Sequence, residues 1–215
     1  MRRIIETDRL LLREFADVDA RDLLALNADP TVIRYTGDDA FADYAAALAF
    51  VQSYDHYRRH GFGRWAVLIR HTGQFAGFCG LRKDEAKGRV DLGFRFHRRF
   101  WSQGIATEAG RAALLVGFAG YKLPIIFGRA MRENLPSISV LQKLGMTFRE
   151  VSEEDGSVWL VYAIRQHEFV PPPPPTPPAQ EDAEENAPAD PGEAGGNRKA
   201  ARDDGEDDEP PAARP

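Results

Sequence analysis

A single cysteine, Cys79, stands among the 215 residues, so no disulfide can form within the chain and a zinc site is not expected. It lies in the apolar run Phe75-Ala76-Gly77-Phe78-Cys79-Gly80-Leu81, which predicts a buried free thiol in a reducing compartment. The five histidines show no metal-ligand spacing, and no metal is expected. No stretch approaches about 18 uncharged apolar residues, and the opening Met1-Arg2-Arg3-Ile4-Ile5-Glu6-Thr7-Asp8 lacks the apolar core of a signal peptide. The expectation is a cytoplasmic protein with no membrane partner. There is also no basic face with interleaved aromatics, so direct nucleic-acid binding is not expected.

Scarcity is sharpest at the C-terminal end. Residues 171–215 contain no Leu, Ile, Val, Phe, Tyr or Trp but 12 of the 15 prolines. Such a segment cannot bury enough apolar surface to offset the entropy of ordering it. A disordered Pro-rich acidic tail over 171–215 is predicted, opening with the polyproline II spacer Pro171 to Pro175. Its 12 acidic and 4 basic residues give −8 and leave the first 170 residues at +3. The net charge of −5 therefore describes neither part.

What is present over residues 1–170 is one domain, large enough to bury roughly 70% of its unfolded surface around a single core. Arg9 to Phe15 reads as a strand, and Asp17 to Asn27 as a helix with Val18, Leu23, Leu24 and Leu26 on its apolar face and Pro30 closing it. Ala40 to His60 reads as one long helix stopped by Gly61, with Phe41, Tyr44, Leu48, Val51 and Tyr54 at steps of three and four. The period then changes. Phe62 to Ile69 and Gln74 to Arg82 form a hairpin around His71-Thr72-Gly73, and Arg89 to His97 is a third strand. A helix from about Ser102 to Gly120, a buried strand Pro124 to Met131, a helix Asn134 to Gly145 and a hairpin turning at Asp155-Gly156 complete the body. The sum is an α/β fold of the α+β kind. Antiparallel hairpins at both ends and one strand–helix–strand crossover between them argue against a doubly wound dinucleotide fold.

Between the third strand and its helix lies Trp101-Ser102-Gln103-Gly104-Ile105-Ala106-Thr107-Glu108-Ala109. Gly104 and Ala106 leave the backbone nearly bare, so successive N–H groups and the positive end of the helix dipole can face an anion such as a pyrophosphate. Together with the short helix after Asn134, this suggests a coenzyme site.

These residues carry a resemblance. The opening Glu6-Thr7-Asp8-Arg9-Leu10-Leu11-Leu12-Arg13, the strand Asp91-Leu92-Gly93-Phe94, the loop from Phe100 to Ala109, and Asn134-x-x-Ser137 through Lys143-Leu144-Gly145-Met146 are jointly specific. Over about residues 5 to 168 the chain resembles the GNAT superfamily of acetyl-CoA-dependent N-acetyltransferases, most closely the RimJ/RimL-like branch that acetylates protein N-terminal amines. The resemblance implies a mostly antiparallel central sheet with a splayed strand pair and flanking helices. It implies acetyl-CoA as co-substrate, its pantetheine arm on Phe94, Arg95 and Phe96, its pyrophosphate on Ser102, Gln103, Gly104, Ile105, Ala106 and Thr107, and Asn134 and Ser137 in contact with it. It further implies backbone donors at Phe94 to Phe96 for the oxyanion, Ser137 as acid for the leaving thiolate, and Asp91 as base, with Glu153 and Glu154 as competitors. Trp101, Arg98 and Met146 depart from frequent superfamily choices without touching the coenzyme assignment.

The acceptor is left to chemistry. At pH 7 about a seventh of an α-amine of pKa ~7.8 is neutral, against about 4 in 10,000 of a lysine of pKa ~10.4, a gap of roughly 3.5 kcal/mol. A protein or peptide N-terminus is therefore the leading acceptor. The alternatives are a small amine such as an antibiotic, polyamine or amino acid, and a non-catalytic acyl-CoA-sensing module whose acidic tail docks a basic partner. Either a monomer or a homodimer is compatible with the sequence.

Overall fold

The computed structural model describes residues 2–172, and the tail predicted from residue 171 lies, apart from its first two positions, outside the described residues. The chain opens with a strand hairpin, β1 (Arg3–Glu6) and β2 (Leu10–Arg13). Four short helices follow: α1 (Ala20–Ala28), α2 (Pro30–Ile33), α3 (Tyr44–Ser53) and α4 (His56–His60). Three antiparallel strands come next, β3 (Arg64–Ile69), β4 (Phe75–Asp84) and β5 (Arg89–Phe96). Helix α5 (Ile105–Leu115) leads to β6 (Ile125–Met131), α6 (Leu135–Lys143) and the closing hairpin β7 (Thr147–Glu154) and β8 (Ser157–Arg165).

All eight strands form one sheet in the order β1-β2-β3-β4-β5-β6-β8-β7. Every neighbouring pair is antiparallel except β5 and β6. That parallel pair requires the crossover through α5. One face of the sheet packs against α5 and α6, burying Leu10, Leu12, Leu81, Leu92, Ile105, Leu114 and Ile126. On the other face α1 and α3 cover β2 to β4 around Leu23, Leu26, Ala47 and Val51. The site lies where β5 meets β6. Cys79 is fully buried, with burial pushing its thiol up to about 12, so it is the inert thiol that its apolar setting predicts.

Three details differ from the sequence reading. Pro30 opens a helix rather than closing one: Asp29 caps α2 by accepting from the Thr31 N–H at 2.9 Å, and proline suits the first turn. Val18 belongs to a 3-10 turn before α1 and is 71% exposed, so it takes no part in the apolar face. The long helix expected over Ala40–His60 is two helices. Asp43 caps α3 through the Ala46 N–H at 2.9 Å, and the chain turns extended at Tyr54. There the phenol accepts from the Arg64 N–H at 2.7 Å and the ring meets Phe15 edge-on at 5.4 Å. Those tertiary contacts outweigh the helical periodicity. Strand β1 carried no sequence signal of its own, being four residues on the sheet edge defined by pairing with β2.

Candidate active site

Strands β5 and β6 pair only at Asp91 with Phe127 and Leu92 with Gly128. Beyond Leu92 the two diverge. On the side away from β4, alternate N–H and C=O groups of residues 93–96 therefore have no strand partner, and an extended ligand arm can supply the missing ladder. The Phe94 side chain packs on the core beneath.

The loop that follows is built as an open cradle. Ser102 (φ 59) and Gly104 (φ 77) are left-handed, which turns successive N–H groups to one side. Ile105, Ala106 and Thr107 are the first three residues of α5, whose N–H groups have no acceptor within the helix. A Cβ on Gly104 would meet only the Arg9 guanidinium, at 3.4 Å, so the space above the loop is free. Ser102 to Gly104 are exposed. These features fit a pyrophosphate.

The cradle is braced from the other end of the chain. Arg9 donates through Nε to Glu108 at 2.6 Å and through Nη1 to the Gln103 carbonyl at 2.9 Å. The Thr7 hydroxyl and the Arg9 N–H both donate to the other Glu108 oxygen. The paired motifs around Thr7-Asp8-Arg9 and Gly104 to Glu108 thus form one unit across the sheet. Trp101 adds a tie, donating from Nε1 to the Phe96 carbonyl at 2.7 Å. Arg13, at the end of the opening motif, makes a buried bidentate pair with Asp19 at 2.6 and 2.7 Å and fixes the entry to α1.

In front of the splay lies a cleft of about 790 Å³ whose walls include Asp91, Gly93, Phe94, Arg95, Asn134 and Ser137. Most of the residues singled out from sequence thus share one cavity or, for Ser102 to Thr107, the loop at the end of the same strand. Asn134 caps α6, its side chain accepting from the Ser137 N–H at 3.2 Å. This places the Ser137 side chain at the head of α6 in the cleft wall. The Arg95 side chain turns to the helical side, bonding Asn27 and Asp38 and lying over Phe78. Only the backbone of Arg95 remains to meet a coenzyme.

Asp91 differs from the expectation of a base. It is a partly buried ion-pair partner, bonded to Arg64 and 3.6 Å from Arg82 Nε. Burial alone would raise its pKa, but the Arg64 guanidinium, aided by Arg82, holds it below the usual carboxylate value. Such a carboxylate is a poor proton acceptor. Gly93 explains its own place in the motif, since a Cβ there would strike Arg64 at 2.3 Å. Glu154 is bound by Lys87 and Arg129, and its pKa is pulled down to about 2. Glu153 is exposed and lies outside the cleft.

Tyr35 and Tyr54 line the cleft, whereas Trp65 is fully buried. The cleft also contains Arg64, Arg82, Arg129, His56 and Trp159. Sequence had no signal for these: Arg64 meets Asp91 across 27 positions, and only strand register brings them together. Among the described residues no cluster of three or more His, Cys, Asp or Glu is placed to hold a metal. No helix among them is long and apolar enough to cross a membrane.

Comparison with known proteins agrees with this geometry. Residues 9–147 match the family described as "Acetyltransferase (GNAT) domain". The chain is 31% identical over 140 residues to the uncharacterized N-acetyltransferase p20 of Bacillus licheniformis, covering 64% of this chain and 79% of that one. A GNAT-family acetyltransferase from Bacillus anthracis superimposes with a TM-score of 0.66 at 24% identity, over 76% of this chain and 98% of that one. Spermidine N-acetyltransferase from Vibrio cholerae, solved with CoA and spermine, does so with a TM-score of 0.65 at 16% identity, over 74% and 97%. At these identities the two structural matches speak to the fold.

Proposed function

The chain belongs to the GNAT acetyltransferase family and is an acetyl-CoA-dependent N-acetyltransferase, and from that premise we propose that its acceptor is a protein or peptide N-terminal α-amine. That acceptor is the one expected of the RimJ/RimL-like branch, which the sequence resembles. The observation that carries the reading is the Asp91–Arg64 pair. With the strand's carboxylate neutralised by a guanidinium, the site is poorly equipped to strip a lysine ammonium. An α-amine supplies its own neutral fraction, an advantage of roughly 3.5 kcal/mol at pH 7.

When bound, acetyl-CoA supplies the acyl thioester. The chain's own groups then have definite tasks. N–H groups of Ser102 to Thr107 hold the pyrophosphate, and the unpaired backbone of Phe94, Arg95 and Phe96 orients the arm and offers donors to the developing oxyanion. Ser137, at the head of α6, provides the proton for the departing sulfur through its hydroxyl. Asn134 sets that turn by capping it. Asp91 keeps Arg64 in place beside Gly93 and so shapes the cleft wall.

The test is a competition at pH 7 among a lysine-free peptide with a free N-terminus, an N-blocked peptide with one lysine, and spermidine. Product masses and thiol release are followed together. The account expects α-amine acetylation at least tenfold faster than either alternative. Faster modification of lysine or spermidine contradicts it, and absence of turnover on all amines favours the acyl-CoA-sensing alternative.

A further inference from the structure

We propose that His56 is a catalytic residue whose imidazole takes the proton shed by the acceptor nitrogen. The inference rests on the acetyltransferase reading above, because it concerns the same cleft. His56 opens α4, just after the break at Tyr54, and its side chain joins Asp91, Arg64 and Arg82 in lining the cavity. The break that the helical periodicity did not foresee is what delivers it there.

Its surroundings keep the ring neutral. It lies between Tyr54, with ring centroids 5.2 Å apart, and His60, at 5.5 Å. Its Nδ1 is buried and has no hydrogen-bond partner among the described residues. Nδ1 is shut off from the cleft, so the position that can take a proton is Nε2, and the neutral ring that serves as the base carries its hydrogen on Nδ1. Burial is the main influence lowering its pKa below 6.5, and the electrostatic influence of His60 on α4, Arg82 on β4 and Arg59 on α4 acts the same way. Asp55, the residue before it, is the opposing group. The ring can therefore accept a proton at pH 7.

Of the four carboxylates that line the cleft, three are held by arginines and the fourth, Asp39, is exposed and has no ion-pair partner among the described residues. Asp91 is held by Arg64 and Arg82, Asp38 by Arg95, and Asp55 lies 3.8 Å from Arg59. In the transfer, the nitrogen–acyl bond forms and the carbon–sulfur bond breaks. The proton lost by nitrogen passes to His56, directly or through one water, and then to solvent, while the leaving thiolate takes one proton from Ser137, which is reprotonated from solvent. A weak base of this kind suits an α-amine and does not suit lysine.

The experiment compares wild type with His56→Gln and His60→Gln. His60 pairs with Glu85 at 3.2 Å and lies outside the cleft lining. We expect His56→Gln to lower kcat at pH 7 by about 100-fold while the calorimetric Kd for acetyl-CoA stays within twofold. The acid limb of kcat should disappear with it. Two acceptors of different amine pKa identify that limb, since the enzyme's own limb does not move between them. His60→Gln should keep kcat at pH 8 within twofold. An NMR titration of the wild-type imidazoles, independent of any variant's folding, should place His56 below 6.5. A loss of less than tenfold in folded His56→Gln, a persisting limb, or an imidazole titrating above 6.5 would overturn the proposal. Absence of acetyl transfer by wild type would instead remove the reading on which it rests.

Discussion

Single residues determine what each wall of the cleft can do. Asp91→Asn leaves Arg64, only 13% exposed at its side chain, facing a neutral amide. We expect a loss of roughly 2 kcal/mol in urea unfolding at pH 7; a change below about 0.5 kcal/mol would show that the pair is idle. The pH dependence follows from the sign. The folded pKa is depressed, so the pair's stabilisation is present above the unfolded value near 3.8 and fades as pH falls through the lower folded value. Asp91→Asn should accordingly flatten the acid limb of stability below pH 4. Ser137→Ala separates acid from contact: kcat should fall about tenfold or more with the acetyl-CoA KM within threefold, whereas a rise in KM alone would leave Ser137 as a contact. At this scale the sequence was half legible. The cleft-wall position of Asn134 and Ser137 and the open shape of the loop before α5 agree with short-range spacing and family likeness. The neutralisation of Asp91 by Arg64 and the cleft position of His56 have no such signal, because each depends on partners brought in from other strands or on a helix break.

At the scale of elements, local chemistry read well wherever backbone geometry was decided within a few residues. The Asp155-Gly156 turn has both residues at positive φ, 51 and 73, as a two-residue hairpin demands. Gly104 and Gly145 stop or start helices at φ 77 and 81. What failed to read was continuity. An apolar period ran through Tyr54, but that residue's hydrogen bond to β3 and its packing on Phe15 split the helix in two. The brace between β2 and α5 was equally hidden, since Arg9 and Glu108 lie 99 positions apart. It makes a prediction about the loop rather than about the core. Glu108→Ala releases both Arg9 and Thr7 at a partly exposed site, so the melting temperature should fall by only a few degrees. Acetyl-CoA affinity should fall by more than fivefold, because the cradle loses its pre-organisation. Unchanged affinity would mean that the loop holds its form unaided.

For the whole molecule, the order of the sheet explains why one end of the chain serves the other. The opening hairpin lies on β3, yet it reaches the loop before α5, and the parallel β5–β6 contact of two residue pairs opens the groove between the sheet's halves. The mixed, mostly antiparallel sheet was legible from hairpin signals flanking one crossover, whereas the extent of the splay was not, because it is a matter of how few pairs form. Removing residues 173–215, a segment without large aliphatic or aromatic side chains, should leave kcat and the melting temperature unchanged. A drop in either would tie that segment to the domain.

The account stands or falls on the seat at the mouth of α5. Calorimetric titration of acetyl-CoA into wild type and Ser102→Asp tests it directly, since Ser102 already has φ 59, a region that aspartate enters readily. The account predicts one site per chain in wild type and at least tenfold weaker binding in a folded Ser102→Asp, whose added charge faces the pyrophosphate. Equal affinity in the two proteins would contradict it.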